Sequence, residues 1–179
     1  MNSSSETQHR LIHSSDKELL RFYFQSNYQH FKVWQPARSL NYYSNENWNT
    51  IFEQWLTEQE EGRAVHFIAY HEQQLCIAGH CSLTQISYGP FKACYMGYGI
   101  ALEQQGKNQA YYLCQSTINH AFQYLKLHRI MANYMPHNNR SGKLLKRLGF
   151  EKEGFARNYL KINGQWRNHF LMVKNNETR

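Results

Sequence analysis

The chain has 179 residues, 41% apolar and 15% aromatic, which fits a single domain burying about two-thirds of its unfolded surface and excludes a disordered protein. It lacks any membrane-length apolar run and any signal-like segment, so no membrane partner is expected and a cytoplasmic location is the default. The net charge of +7 is unevenly placed, with twelve Lys/Arg against three Asp/Glu from Lys126 onward and eight against ten before it.

Residues 1–9 are polar and read as a flexible terminus, ahead of a domain over residues 10–175. Ser15 and Glu18 have the spacing of a capping box before Leu19, Leu20, Phe22, Tyr23 and Phe24, which predicts a first helix. Residues 27–43, with Trp34 and Pro36, read as a loop. A second helix is expected from near Ser44 to Gly62, with Trp48, Ile51, Phe52 and Trp55 as its apolar stripe. Strand-like runs follow at Ala64–Tyr70, Leu75–Ile86 and Ala93–Ala101. From Gln109 to Leu125, apolar residues recur at alternating steps of three and four, the pattern of a helix packed on a sheet.

The run Arg129–Met135 is extended in character and stops at Pro136. A polar cap then starts a short helix that Gly149 closes, with Ser141 in its first turn and Leu144, Leu145 and Leu148 following at offsets of three, four and seven. That spacing sets the Ser141 hydroxyl on the core-facing stripe, near unpaired backbone N–H groups. Two closing strands, Lys152–Ile162 and Gln165–Val173, are joined at Asn163-Gly164, a strong hairpin signal. The fold class is therefore mixed α/β (α+β) in one domain.

Cys76, Cys81, Cys94 and Cys114 have no metal-type spacing and read as free buried thiols, and the ten histidines form no ligand motif. No metal site is expected. The basic C-terminal third suits a phosphate-bearing ligand or an RNA-rich partner, or else is a solvated face that maintains solubility. Direct DNA binding is not expected, and the oligomeric state is not legible.

Three segments together carry a resemblance: HRIMANYMPHNNRSG from His128 to Gly142, LGFEKEGFA from Leu148 to Ala156, and INGQWRNH from Ile162 to His169, with a weaker echo from His30 to Pro36. The chain resembles the GNAT superfamily of N-acetyltransferases, especially the branch that acetylates N-terminal alanine of ribosomal proteins. The resemblance implies a central, mostly antiparallel sheet whose strands 4 and 5 splay to admit acetyl-CoA. It also implies transfer of an acetyl group to a protein N-terminal α-amine, with a ribosomal protein or the ribosome as partner. Acetylation of a small amine or antibiotic, and a non-catalytic protein that binds acyl-CoA or the ribosome, remain alternatives.

In the run from Cys94 to Ala101, alternation puts Met96, Tyr98 and Ile100 on one face and Gly97, Gly99 and Ala101 on the other. The resemblance assigns the end of this strand, Ile100, Ala101 and Leu102, to the pantetheine arm, with a bulge that frees an N–H for the thioester carbonyl. The junction Glu103–Asn108 is assigned to the phosphates through Gly106, Lys107, Asn108 and Gln109, because backbone N–H groups before a helix suit an anion. Here Glu103 and Asn108 depart from the family pattern. Asn108 is expected to tolerate a left-handed turn, and glycine in its place to tighten cofactor binding or leave it unchanged.

The structural alternative for the two glycines is room for a bulky neighbour. Gly99 stands where many family members carry a glutamate base, so no carboxylate is expected there. An α-amine, with a free pKa of about 8, needs less help than a lysine. Ser141 is the expected donor to the leaving sulfur and Asn133 the expected positioner of the amine, directly or through water. Asn138 is expected near the pantetheine; the alternative is that Asn138 or Asn139 merely caps the helix and Ser141 completes its first turn. Trp34, Tyr159 and Trp166 are expected to contact the substrate, with Arg167 and His169 nearby. Tyr23 is a further candidate for the cleft.

Overall fold

A computed structural model describes residues 7–39 and 41–177. Seven strands form one sheet: β1 (Thr7–Leu11), β2 (Val65–His71), β3 (Cys76–Ser87), β4 (Ala93–Ile100), β5 (Arg129–Met131), β6 (Glu151–Ile162) and β7 (Gln165–Asn175), in the spatial order β1-β2-β3-β4-β5-β7-β6. Only β4 and β5 pair in parallel; the other neighbours are antiparallel. Among the described residues five α-helices, with short 3-10 turns at Ser14–Asp16 and Leu102–Gln104, complete the fold: α1 (Lys17–Ser26), α2 (Tyr28–Phe31), α3 (Asn45–Glu60), α4 (Gln109–Gln123) and α5 (Asn139–Arg147).

Alternation along the strands divides the interior in two. Phe67 and Ala69 face a core completed by Leu113, Cys114, Ile118 and Ala121 of α4 and by Leu145 of α5. Ile68 and Ile77 face the other way, onto Leu20, Tyr23 and Phe24 of α1, Phe31 of α2 and Trp48 and Phe52 of α3. Trp48 is fully buried, and its indole N–H donates to the Lys17 carbonyl at 2.9 Å, which ties α3 to the start of α1.

The chain departs from expectation at its beginning. Thr7–His9, assigned above to a loose terminus, pair with His71, Tyr70 and Ala69 as the first half of an edge strand. Residues 1–6 lie outside the described residues. The expected Ser15/Glu18 cap does not form. Instead the buried Asp16 carboxylate accepts the His13 N–H at 2.8 Å and both Arg10 guanidinium nitrogens at 2.7 and 2.8 Å. A two-pronged arginine bond outweighs a single serine cap. The loop over residues 27–43 also holds the short helix α2, folded back so that Phe31 reaches the core.

Other signals match closely. Ser44 caps α3, and Asn163 and Gly164 both have positive φ, 45° and 80°, as a two-residue hairpin requires. The Gly149 N–H bonds the Lys146 carbonyl and the Phe150 N–H the Leu145 carbonyl, closing α5 with the left-handed glycine cap its sequence predicts.

The sheet opens where the parallel pair ends. β4 and β5 are joined only over Ala93–Tyr95 and Arg129–Met131. Beyond them β4 runs on to Ile100 with that edge unpaired, while the chain after β5 turns to bridge Tyr134 to Phe170 of β7. This is the splay that the resemblance implied.

Candidate active site

The splay is bordered by the far half of β4, by the segment from β5 into α5, and by the loop before α4. Ser141 lies in the first turn of α5, whose N-cap Asn138 accepts the Ser141 N–H through Oδ1 at 3.1 Å. Its hydroxyl reaches across the opening to Tyr98 of β4, Oγ to Oη 2.6 Å. Burial pushes the Tyr98 phenol well above its usual range, with a smaller opposing effect from the Ser141 bond, so it keeps its proton. Asn138 therefore acts as the cap, through the same side chain expected beside the pantetheine.

Asn133 is held at both ends. Its Oδ1 accepts the Met172 N–H at 3.3 Å, and its Nδ2 donates to the Tyr159 hydroxyl at 3.0 Å. Burial, and then the neighbouring Tyr95 hydroxyl, raise the Tyr159 pKa. The Tyr159 ring lies 5.4 Å from that of His169. Burial lowers the pKa of His169, whose Nδ1 sits 3.1 Å from the Arg167 carbonyl oxygen. Trp34 stands across from the entry to α5, its ring 5.4 Å from His137. Trp166, 62% exposed near the hairpin tip, pairs with Lys161 and makes no ring contact with these groups among the described residues.

Two details of the glycine strand differ from expectation. A side chain at Gly99 would meet Phe31 at 3.2 Å and the Tyr23 hydroxyl at 3.3 Å, so the missing side chain makes room for these two rings and a larger one fits only if they give way; Gly97 stays open. Tyr23 is buried, donating to the Gly99 carbonyl at 2.8 Å, and does not line the cleft. Furthermore, the expected bulge is absent from β4, whose register with β3 runs unbroken from Tyr95 to Ile100. The register shift falls between Thr84 and Ser87 of β3, where Gln85 has a φ of 52°.

At the far end of β4, Ile100 is buried and pairs with Gly79. The Ala101 N–H is taken by the Ala78 carbonyl and the Leu102 N–H by Asn27 Oδ1, both at 2.9 Å. Free donors lie further on. Among the described residues the N–H groups of Gly106, Lys107, Asn108, Gln109 and Ala110 find no acceptor. Gly106 has φ 77° and open space around it, and Asn108 is left-handed at φ 59°, ψ 7°, so the loop turns these donors into the start of α4. The Gln109 side chain points away, to Thr7 at 3.1 Å, and the Lys107 ammonium bonds Gln104. Glu103 lies near Cys76, where its charge adds to burial in raising the thiol pKa.

Two arginines of α5 were not singled out by sequence. Arg147 donates to Asn108 Oδ1 at 2.8 Å and lies over the Tyr111 ring at 4.0 Å, and Arg140 bonds Gln105, which also meets His30 at 2.7 Å. They bring cations to the donor-rich loop, which gives it the character of a phosphate cradle. Only their helical position facing α4 could have signalled this. Tyr98 had a clearer signal, since strand alternation already set it on one face with Met96 and Ile100.

An acetyltransferase (GNAT) domain model matches residues 9–151. The chain belongs to the GNAT acetyltransferase family. It is 39% identical over 162 residues to the [ribosomal protein uS5]-alanine N-acetyltransferase of Escherichia coli K12, covering 90% of this chain and 84% of that protein. The crystal structure of the ribosomal-protein-S5-alanine acetyltransferase from Vibrio fischeri superposes with a TM-score of 0.93 at 36% identity, over 99% of this chain and 97% of that one. Mycobacterium smegmatis RimJ in complex with CoA-disulfide shares the fold, with a TM-score of 0.88 at 24% identity over 96% and 82% of the two chains. This acetyltransferase thus carries the family's splayed sheet together with the Ser141, Asn133 and loop geometry described above.

Proposed function

We propose that the protein transfers the acetyl group of acetyl-CoA to a protein N-terminal α-amine, with N-terminal alanine of a ribosomal protein as acceptor. The observation that carries this reading is the splay itself, with the Ser141 hydroxyl fixed at one side and the Asn133–Tyr159 pair beyond β5. Similarity over nearly the whole chain to enzymes named for the alanine of uS5 supports the choice of acceptor.

The residues fit the donor. The N–H groups from Gly106 to Ala110, with Arg140 and Arg147, would hold its phosphates, and the unpaired edge of β4 beside open Gly97 would receive the pantetheine arm. Bound there, acetyl-CoA supplies an activated thioester. Ser141 is a hydrogen-bond donor for the leaving sulfur, where charge develops. The Asn133 and Tyr159 pair positions the amine, which is partly neutral at physiological pH without a strong base. Trp34 and His137 flank the entry, while Trp166 on the exposed hairpin meets the acceptor beyond its first residues. The basic C-terminal third suits an acceptor surrounded by RNA.

Purified protein with acetyl-CoA and peptides starting with alanine, serine or lysine tests this, product being read by mass spectrometry. Acetylation at the α-amine of the alanine peptide is expected. Acetylation of a polyamine or of lysine side chains alone would move the assignment to small amines. Binding of acetyl-CoA with no turnover on any acceptor would indicate a non-catalytic protein.

A further inference from the structure

We propose that Tyr98 is a positioning residue that aims the hydroxyl hydrogen of Ser141 into the splay, an assignment that rests on the acetyl-transfer reading above. The two hydroxyls share one contact of 2.6 Å, and neither has another partner among the described residues. One hydrogen lies in the contact and the other is left over.

Counting hydrogens decides which. If Ser141 donated, the hydrogen of the half-buried Tyr98 phenol would be left without a protein acceptor, at a cost of up to about 1–3 kcal/mol. If Tyr98 donates, the leftover hydrogen belongs to Ser141, on the helix turn at the opening. Burial raises the Tyr98 pKa, so the phenol has a proton to donate throughout the neutral range.

Four other helical hydroxyls behave differently. Ser26, Thr50, Thr57 and Thr117 each return their hydroxyl to the carbonyl four residues earlier, the usual resting place for such groups. Ser141 does not. The carbonyl four residues before it belongs to His137, outside α5, and its hydroxyl instead meets Tyr98, three residues past Tyr95, the last β4 residue paired with β5. The oxygen of Ser141 accepts from the phenol, which strengthens its own O–H as a donor.

The chemical consequence is confined to the leaving group. As the amine nitrogen bonds the acetyl carbon, the carbon–sulfur bond breaks and its electron pair stays on sulfur, while the amine proton passes to water. Ser141 donates a hydrogen bond to that sulfur and keeps its proton. Tyr98 touches neither reactant.

The test is a cycle of Tyr98→Phe, Ser141→Ala and the double variant, read two ways. In steady-state acetylation of an alanine-starting peptide, Tyr98→Phe is expected to lower kcat about 3- to 10-fold, with KM for acetyl-CoA and melting temperature little changed. In the Ser141→Ala background it should lower kcat no further, because it acts through Ser141. The second reading needs no acceptor: the thiol pKa of CoA in its complex, followed by thiolate absorbance, should rise in Tyr98→Phe and in Ser141→Ala, and no further in the double variant. An unchanged thiol pKa and unchanged kcat in Tyr98→Phe would overturn the inference while leaving the acetyltransferase reading intact. So would equal losses of kcat in both backgrounds. A CoA thiol that responds to Tyr98→Phe in a protein that fails to acetylate the peptide would instead remove the acceptor assignment and leave this inference standing.

Discussion

Ser141 carries the chemical argument at the scale of single residues. Its hydroxyl is proposed to help only once charge develops on sulfur, so Ser141→Ala should lower kcat by about 10- to 100-fold and change the dissociation constant of acetyl-CoA by much less. Stopped turnover assays and titration calorimetry separate the two quantities. A lower melting temperature with unchanged kcat would reduce Ser141 to a helix residue. Asn108 shows how a structure changes a residue-level expectation. From sequence, glycine at 108 should suit a left-handed turn at least as well, and the φ of 59° agrees. The Asn108 side chain, however, also holds Arg147 at 2.8 Å beside the free N–H groups. Asn108→Gly is therefore expected to weaken acetyl-CoA binding about 3- to 10-fold, the worth of one charge-assisted hydrogen bond partly replaced by water; calorimetry showing tighter binding would mean that backbone freedom dominates. The turn was legible because residue type limits φ. The contacts of Arg147 and Tyr98 were not, even though alternation gave the strand face of Tyr98, because each reaches an element distant in sequence.

Among the elements, α5 concentrates the site. Its end and buried stripe could be read directly, since each follows from local chemistry, Gly149 as left-handed stop and Leu145 and Leu148 on one face; its cap could be narrowed to Asn138 or Asn139, and the structure makes it Asn138. Gly142 in its interior is a different matter. Helix propensity alone would favour alanine there by about 1 kcal/mol. A Cβ at this position, though, would come within 2.7–2.9 Å of the Tyr134 ring, next to Ser141 and below the distance real contacts reach. Gly142→Ala should thus destabilise by about 1–3 kcal/mol and lower kcat by displacing the helix, and thermal melting beside activity checks both. A rise in melting temperature would show that Tyr134 moves aside freely. The splay followed from the family resemblance rather than from periodicity, because strand pairing is a long-range choice. For the same reason the edge strand β1 was missed: its five residues carry too weak an alternation to signal pairing with β2.

In the molecule as a whole, the two cores flank a sheet that also buries titratable groups. His66 and His80 meet at 3.1 Å beneath Trp55, which stacks on both rings. Desolvation lowers His66 to about 4 and His80 well below its usual value. Their folded pKa values lie below the ordinary 6.5, so the unfolded chain binds more protons in that window. The stabilisation from keeping them neutral is complete above about pH 6.5 and is lost as pH falls toward about 4. Burial lowers His9, His120 and His169 in the same direction, which makes the decline collective. The melting temperature should fall between pH 7 and 5, and His66→Phe, which keeps the stack on Trp55, should make that fall shallower. A flat profile in the native chain would show that these rings are hydrated. The proposed activity is most directly tested by incubating the protein with acetyl-CoA and an alanine-starting peptide and locating the product by tandem mass spectrometry. Acetyl on the α-amine, formed in proportion to enzyme and time, is the predicted result; an alanine peptide left unmodified while another amine is acetylated would contradict it.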